Sequence, residues 1–187
     1  MENKIVDFLR ESNKTISFAE SCTGGALSKR IVLIPGASEI FHGSIVSYSN
    51  YSKTNILNIN IEDIQKYSAV SEKVSKEMAI NAMKIFNSDY SISTTGNAGP
   101  SVTDNLSDRG DCFISIASKE IVVCKKIKID CDRQSFISKI TDFANKHPDL
   151  SPMEDGSIPD NKPVTNNEHK PMPKSERTDN GWKISFE

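Results

Sequence analysis

Ser21 stands inside Ala19-Glu20-Ser21-Cys22-Thr23-Gly24-Gly25, a hydroxyl placed just upstream of paired glycines. Glycines let a backbone turn tightly and approach a ligand closely. Unpaired amides at the start of a helix can hold an anion, whether a phosphate or the oxyanion of a reacting carbonyl. A serine beside such donors is what acyl transfer needs. The same residues also read as a capped turn with Ser21 or Thr23 as N-cap, which is locally the commoner outcome. A second segment, Ser47-Tyr48-Ser49-Asn50-Tyr51-Ser52-Lys53, sets a phenol and an amine five residues apart. Lys53 can act as a general base only after losing its proton, which takes burial or a cationic neighbour. The Tyr48 hydroxyl could relay that proton or orient the amine. Against this, most lysines are solvated, and Tyr48 could be a strand-edge residue. A third segment, Thr95-Gly96-Asn97-Ala98-Gly99-Pro100, specifies a sharp backbone path, suited to a ligand wall and equally to a bare turn.

Each segment follows an expected strand, and such ends meet in one crevice of an α/β sheet. Ile5, Phe8 and Leu9 share one face of an opening helix. A short strand is expected over Thr15–Ala19, a helix over Gly25–Leu33 closed by Pro35-Gly36, and a strand over Gly43–Tyr48. Another helix is expected to begin within Ser52–Leu57. The clearest helix starts at Ser71 as N-cap, with Val74, Met78, Ala82 and Ile85 or Phe86 along one stripe. Tyr90–Thr94 reads as a strand, Phe113, Ser115 and Ala117 alternate in another, and Ile121–Ile129 forms a third after a turn. Phe136, Ile140 and Phe143 mark a closing helix. Helices alternating with strands, followed by two consecutive strands, predict a sheet covered on both faces with an antiparallel portion.

Composition divides the 187-residue chain at Lys146. Residues 147–187 hold six of the eight prolines, and eight acids against five bases. Apolar residues are scattered there until Trp182, Ile184 and Phe186 alternate at the end. Such a segment buries too little surface to offset the entropy of ordering it, so a disordered tail is expected. The terminal alternation is compatible with a short strand or a docking motif. The domains are therefore read as 1–146, globular, and 147–187, tail. A net charge of -2 gives no general attraction to nucleic acid or anionic membrane. No apolar run approaches the ~20 residues of a spanning helix, and the first residues lack a signal-peptide core, so a cytoplasmic protein is expected. Cys22, Cys112, Cys124 and Cys131 form no CxxC pair, which favours reduced thiols over a disulfide framework or a zinc site.

In order and spacing these segments resemble the CinA C-terminal domain, or nicotinamide-nucleotide amidase, family. The resemblance runs through Ala19–Gly25, Pro35-Gly36-Ala37-Ser38 with Phe41 and Gly43, and Tyr48-Ser49-Asn50 with Lys53. It continues through Ala69-Val70-Ser71-Glu72 and Thr95-Gly96 with Ala98-Gly99-Pro100. It implies a three-layer α/β/α sandwich with a mixed sheet, hydrolysing the carboxamide of nicotinamide mononucleotide to nicotinic acid mononucleotide and ammonia. Ser21 matches the family's nucleophile, Lys53 its base, and Tyr48 the tyrosine beside them. Backbone amides around Thr23, Gly24 and Gly25 are then expected to hold the oxyanion. Glu20 and Asn50 are expected to orient substrate or supporting groups, and Thr95, Gly96, Asn97, Ala98, Gly99 and Pro100 to line the nucleotide pocket. No metal or cofactor is required by this scheme, and neither nucleic acid nor membrane is an expected partner. The oligomeric state is open, a homo-oligomer included.

Two departures from the family pattern concern nucleotide binding. Ser101–Gly110 replaces a glycine-rich stretch, with Asp104, Asp108 and Asp111 added and Arg109 as a compensating cation. Asn97 stands where an apolar residue is usual. Larger relatives carry a further N-terminal domain resembling molybdopterin-binding proteins, and its activity is not expected of this chain. Two other readings stand beside the amidase: a binding or regulatory protein of the same fold, and a serine amidase with another carboxamide substrate.

Overall fold

A computed structural model describes residues 2–102, 104–146, 174–178 and 181–185. Five strands form one sheet in the order β2-β1-β3-β4-β5, with β1 Ile16–Glu20, β2 Phe41–Val46, β3 Tyr90–Gly96, β4 Asp111–Ser118 and β5 Val122–Lys128. Strand β1 runs parallel to both β2 and β3, whereas β3–β4 and β4–β5 are antiparallel. The mixed sheet expected from the order of elements is therefore present.

Helices cover both faces. On one lie α1 Glu2–Glu11, α2 Ala26–Val32 and α6 Arg133–Lys146, packed through Val6, Leu9, Leu27, Phe136 and Ile140 onto Phe18, Ile92 and Ile114. On the other, α3 Asn50–Asn55 and α4 Ile61–Tyr67 lead into α5 Glu72–Phe86, whose Val74, Met78 and Ala82 pack with Leu57, Ile64 and Ala19. The result is a three-layer α/β/α sandwich. Ser71 caps α5 as expected, its hydroxyl accepting the Val74 amide at 3.2 Å.

Several boundaries move. The buried face of α1 is Ile5, Val6 and Leu9, while Phe8 is 46% exposed. Strand β2 begins at Phe41, two residues earlier than expected, and Gly43 lies within it. A Cβ there would come within 2.6 Å of the Phe86 ring, on a backbone with φ of +140°. Helix α3 begins at Asn50, set by a capping box in which Ser49 accepts the Ser52 amide and Ser52 accepts that of Ser49. That box fixes which face of α3 turns inward, and Lys53 lies on it.

Most of residues 147–187, expected as a disordered tail, lies outside the described residues. Lys174–Thr178 (β6) and Gly181–Ser185 (β7) are described and pair as an antiparallel hairpin with Arg177 opposite Trp182. None of the described helices is long and apolar enough to cross a membrane.

Candidate active site

The C-terminal end of β1 is flanked by β2 on one side and β3 on the other. Glu20 pairs with Val46 and with Thr94. One residue further, Ser21 N donates to Thr94 O (2.9 Å), and Ser47 N donates to Glu20 O (2.7 Å). This register carries Ser21 to the side of the chain that enters α3, and there Lys53 reaches it. Lys53 Nζ donates to Ser21 Oγ at 2.9 Å and to the Ser47 carbonyl at 2.8 Å. Both side chains are buried, Lys53 to 2% exposure. Burial lowers the Lys53 pKa to about 8, against a smaller opposing pull from Cys22. A solvated lysine is thereby excluded, and a base that is partly neutral near physiological pH is in contact with a serine hydroxyl.

Beside the pair is a cavity of about 220 Å³. Its wall includes Ser21, Tyr48, Asn50, Lys53, Thr95, Gly96, Asn97, Ala98 and Gly99, all named from the sequence. Glu20, Thr23, Gly24, Gly25 and Pro100 are not on it. Glu20 is fully buried beneath the turn, where its carboxylate accepts from Thr23 Oγ1 (2.8 Å) and from the amides of Gly25 (2.9 Å), Leu27 (3.1 Å) and Ser28 (2.9 Å). The Ser28 hydroxyl donates to it as well. Glu20 is thus a supporting group that ties the Ser21 turn to the start of α2. The Gly24 amide is taken by Ser21 O (3.1 Å). Gly25, at φ +97°, adopts a left-handed conformation suited to glycine. Among the described residues, the amides of Cys22 and Thr23 make no hydrogen bond, and these are the donors the turn leaves free.

Tyr48 is 59% exposed at the mouth of the cavity, and its hydroxyl accepts from Arg133 Nη2. Arg133 also donates to Gly99 O at 2.9 Å. Arg133 was not a candidate from sequence, nor were Cys22, Ala69, Val70, Ser101 and Val102, which complete the wall. One signal for Arg133 was available: a cation in the first turn of a helix opposes the macrodipole. Here Asp132 caps α6, accepting the Ser135 amide at 2.9 Å, and Arg133 reaches out from the first position. Among the described residues no carboxylate lies within ion-pair distance of Arg133.

The acids of the 101–111 loop turn away from the cavity. Asp111 pairs with Lys126 and Lys128, each at 3.1 Å, and Asp108 with Lys128 at 3.0 Å. Burial alone would push the Asp111 carboxyl up, but the two lysines and the Asp108 amide outweigh it and hold it below the usual range. Arg109 is occupied by Asp130 at 2.9 Å. Asp104 accepts the Leu106 amide at 2.9 Å, and none of the three acids lines the cavity. Asn97 Nδ2 donates to Ser107 Oγ at 2.8 Å, pinning this loop. Among the described residues no cluster of three or more His, Cys, Asp or Glu could hold a metal ion.

The family model for the CinA C-terminal domain matches residues 1–147. The chain belongs to the CinA C-terminal domain family. Its CinA domain is 43% identical over 144 residues to a CinA-like protein of Petrotoga mobilis, covering 77% of this chain and 36% of that protein. It is 41% identical over 141 residues to one of Fervidobacterium nodosum, covering 75% of this chain and 35% of the relative. The chain thus spans about a third of the length of these curated relatives. Among solved structures, a CinA superfamily protein of Escherichia coli superposes with a TM-score of 0.75 at 26% identity, over 77% of this chain and 84% of that one. A competence or damage-inducible protein of Enterobacter asburiae gives a TM-score of 0.75 at 27% identity, over 77% and 91%.

Proposed function

We propose that the chain is a serine amidase that hydrolyses the carboxamide of nicotinamide mononucleotide, giving nicotinic acid mononucleotide and ammonia. The observation that carries the reading is the buried 2.9 Å contact between Lys53 Nζ and Ser21 Oγ on the cavity wall. Neutral Lys53 takes the Ser21 proton as the hydroxyl attacks the carboxamide carbon. The Ser47 carbonyl holds one Nζ–H, which leaves the amine lone pair for Ser21. The free Cys22 amide, on the cavity wall, receives the oxyanion; one such donor typically contributes ~3 kcal/mol. Lys53 then protonates departing ammonia, and water hydrolyses the acyl-enzyme. Tyr48, held by Arg133, positions the substrate at the mouth beside Asn50.

A nucleotide monophosphate suits the charge of the cavity. Arg133 brings a cation with no carboxylate partner among the described residues, and the acids of the 101–111 loop are occupied elsewhere. Arg133→Ala is therefore expected to raise KM about 10–100-fold, the value of a charge-assisted hydrogen bond or two, with kcat much less affected. Steady-state kinetics with nicotinamide mononucleotide and with the phosphate-free riboside would check this. A variant that weakens both substrates equally would show that Arg133 does not read phosphate.

The reading itself is tested by ammonia release from nicotinamide mononucleotide by the wild-type chain and by Ser21→Ala. Release that is abolished in the variant is expected. Binding of the mononucleotide without ammonia release would instead favour a binding protein of this fold. Release from a different carboxamide alone would favour another substrate.

A further inference from the structure

We propose that Cys22 and Cys112 are an oxidisable pair, and that the disulfide they form under peroxide arrests the turn that carries Ser21. The two thiols lie 90 residues apart in sequence, yet their sulfurs are 3.9 Å apart in the interior. Cys22 follows Ser21 directly and is part of the cavity wall, so a small oxidant that enters the cavity meets it. Cys112, fully buried near the start of β4, lies behind it. Its strand partner is Gly96, where a Cβ would come within 3.1 Å of the Cys112 sulfur. The glycine keeps open the space beside that sulfur.

The chemistry balances with hydrogen peroxide as oxidant. The Cys22 thiolate attacks the O–O bond, giving a sulfenic acid and hydroxide, which takes up the proton the thiol had released. The Cys112 sulfur then attacks the Cys22 sulfur; the S–S bond forms, the S–O bond breaks, and water leaves with the Cys112 proton. Two thiols and one peroxide yield one disulfide and two waters, with two electrons passing from sulfur to oxygen. Burial pushes the Cys112 thiol well above its usual pKa, which casts it as the resolving partner rather than the first to react.

A disulfide needs its sulfurs about 2.05 Å apart, so the pair must close by about 1.9 Å from the separation seen. Cys112 is held in β4 between two neighbouring strands, so the movement falls on the turn around Cys22. That displaces the Cys22 amide and the peptide joining it to the nucleophile. The two remaining thiols are internal controls: Cys124 is half-buried beside Ser115 and Ser75 on the α5 face, and Cys131 follows β5.

The effect on turnover rests on the amidase reading, whereas the disulfide itself does not. The full chain is exposed to hydrogen peroxide, quenched, and examined by intact mass and non-reducing peptide mapping alongside ammonia release. A loss of 2 Da, a Cys22–Cys112 peptide and at least a tenfold fall in ammonia release restored by dithiothreitol are expected. Cys112→Ala should keep its basal ammonia release and show no dithiothreitol-reversible loss. A different pairing, oxidation of Cys22 without a cross-link, or a cross-link that leaves turnover unchanged would each overturn the proposal. Should the reduced chain release no ammonia, the amidase reading fails separately. Peptide mapping then still decides the pair, and hydrogen exchange over residues 20–26 must slow on cross-linking for the arrest of the turn to stand.

Discussion

Lys53→Met is expected to cut ammonia release by about 10²–10⁴-fold, the usual contribution of a general base, and at the same time to stabilise the fold at neutral pH. Both effects have one cause. Burial lowers the Lys53 pKa from 10.5 to about 8. Below pH 8 the folded chain carries a buried ammonium that the unfolded chain holds in water. Between pH 8 and 10.5 the unfolded chain binds more protons than the folded one, so wild-type stability rises with pH by ~1.4 kcal/mol per unit. The penalty is therefore fully present below pH 8, amounts to roughly 3 kcal/mol, and has vanished by about pH 10.5. Methionine removes it but leaves the Ser47 carbonyl and Ser21 hydroxyl without their donor, a loss of ~1–2 kcal/mol. A net gain of ~1–2 kcal/mol at pH 7 should thus turn into a net loss above pH 10. Urea unfolding of both proteins at the two pH values reads the difference, since every other titrating group cancels in the comparison.

The same shift sets the pH profile. If neutral Lys53 is the base, wild-type kcat/KM climbs about tenfold per pH unit below 8 and levels off above it. A flat profile from pH 6 to 9, or a Lys53→Met protein that turns over normally, would remove Lys53 from the chemistry. A variant that is inactive and also less stable at pH 7 would show the lysine to be a structural strut.

How much of this was legible before the structure depended on whether the signal was local. Ser71 and the Val74–Met78–Ala82 stripe specify α5 because cap and period agree along a long helix. Helix α4 carries a single buried residue, Ile64, so it offered no period to read. On α1, Phe8 and Val6 compete for the inner face by hydrophobicity alone, and only packing against α6 decides for Val6. Ser21, Tyr48 and Lys53 were nameable through family resemblance, but the contact between Ser21 and Lys53 spans 32 residues. It follows from the parallel register of β1 with β2 and β3, which no local spacing encodes. The acids of the 101–111 loop were ambiguous for the same reason. Opposite Asp111 the antiparallel register places Lys128, and the apparent repulsion of a phosphate becomes an ion-pair cluster away from the cavity. Arg133 lies 85 residues from the Tyr48 it holds, and only its awkward place at a helix start hinted at a role.

Glu20→Gln is expected to cost about 2–4 kcal/mol of stability and to lower kcat by about 10²-fold, with KM nearly unchanged. The carboxylate is fully buried and surrounded by donors: the Thr23 and Ser28 hydroxyls and the amides of Gly25, Leu27 and Ser28. Glutamine keeps one acceptor oxygen but turns an NH₂ group against donors, so at least one buried amide loses its partner. Each such loss costs ~1–3 kcal/mol, more when a charged acceptor is removed. The kinetic effect arises because Glu20, by engaging Gly25 and Thr23, fixes the turn so that the Cys22 and Thr23 amides remain free. Substrate that binds without developing an oxyanion hardly senses the Cys22 donor, whereas the transition state loses ~3 kcal/mol when it is misplaced. A fall in kcat at constant KM is the signature of such a loss. Urea midpoints and steady-state kinetics of Glu20→Gln together decide the role. A raised KM with unaltered stability would mean that Glu20 meets the substrate directly. Lost stability with unchanged kcat would mean that the turn keeps its geometry without the carboxylate.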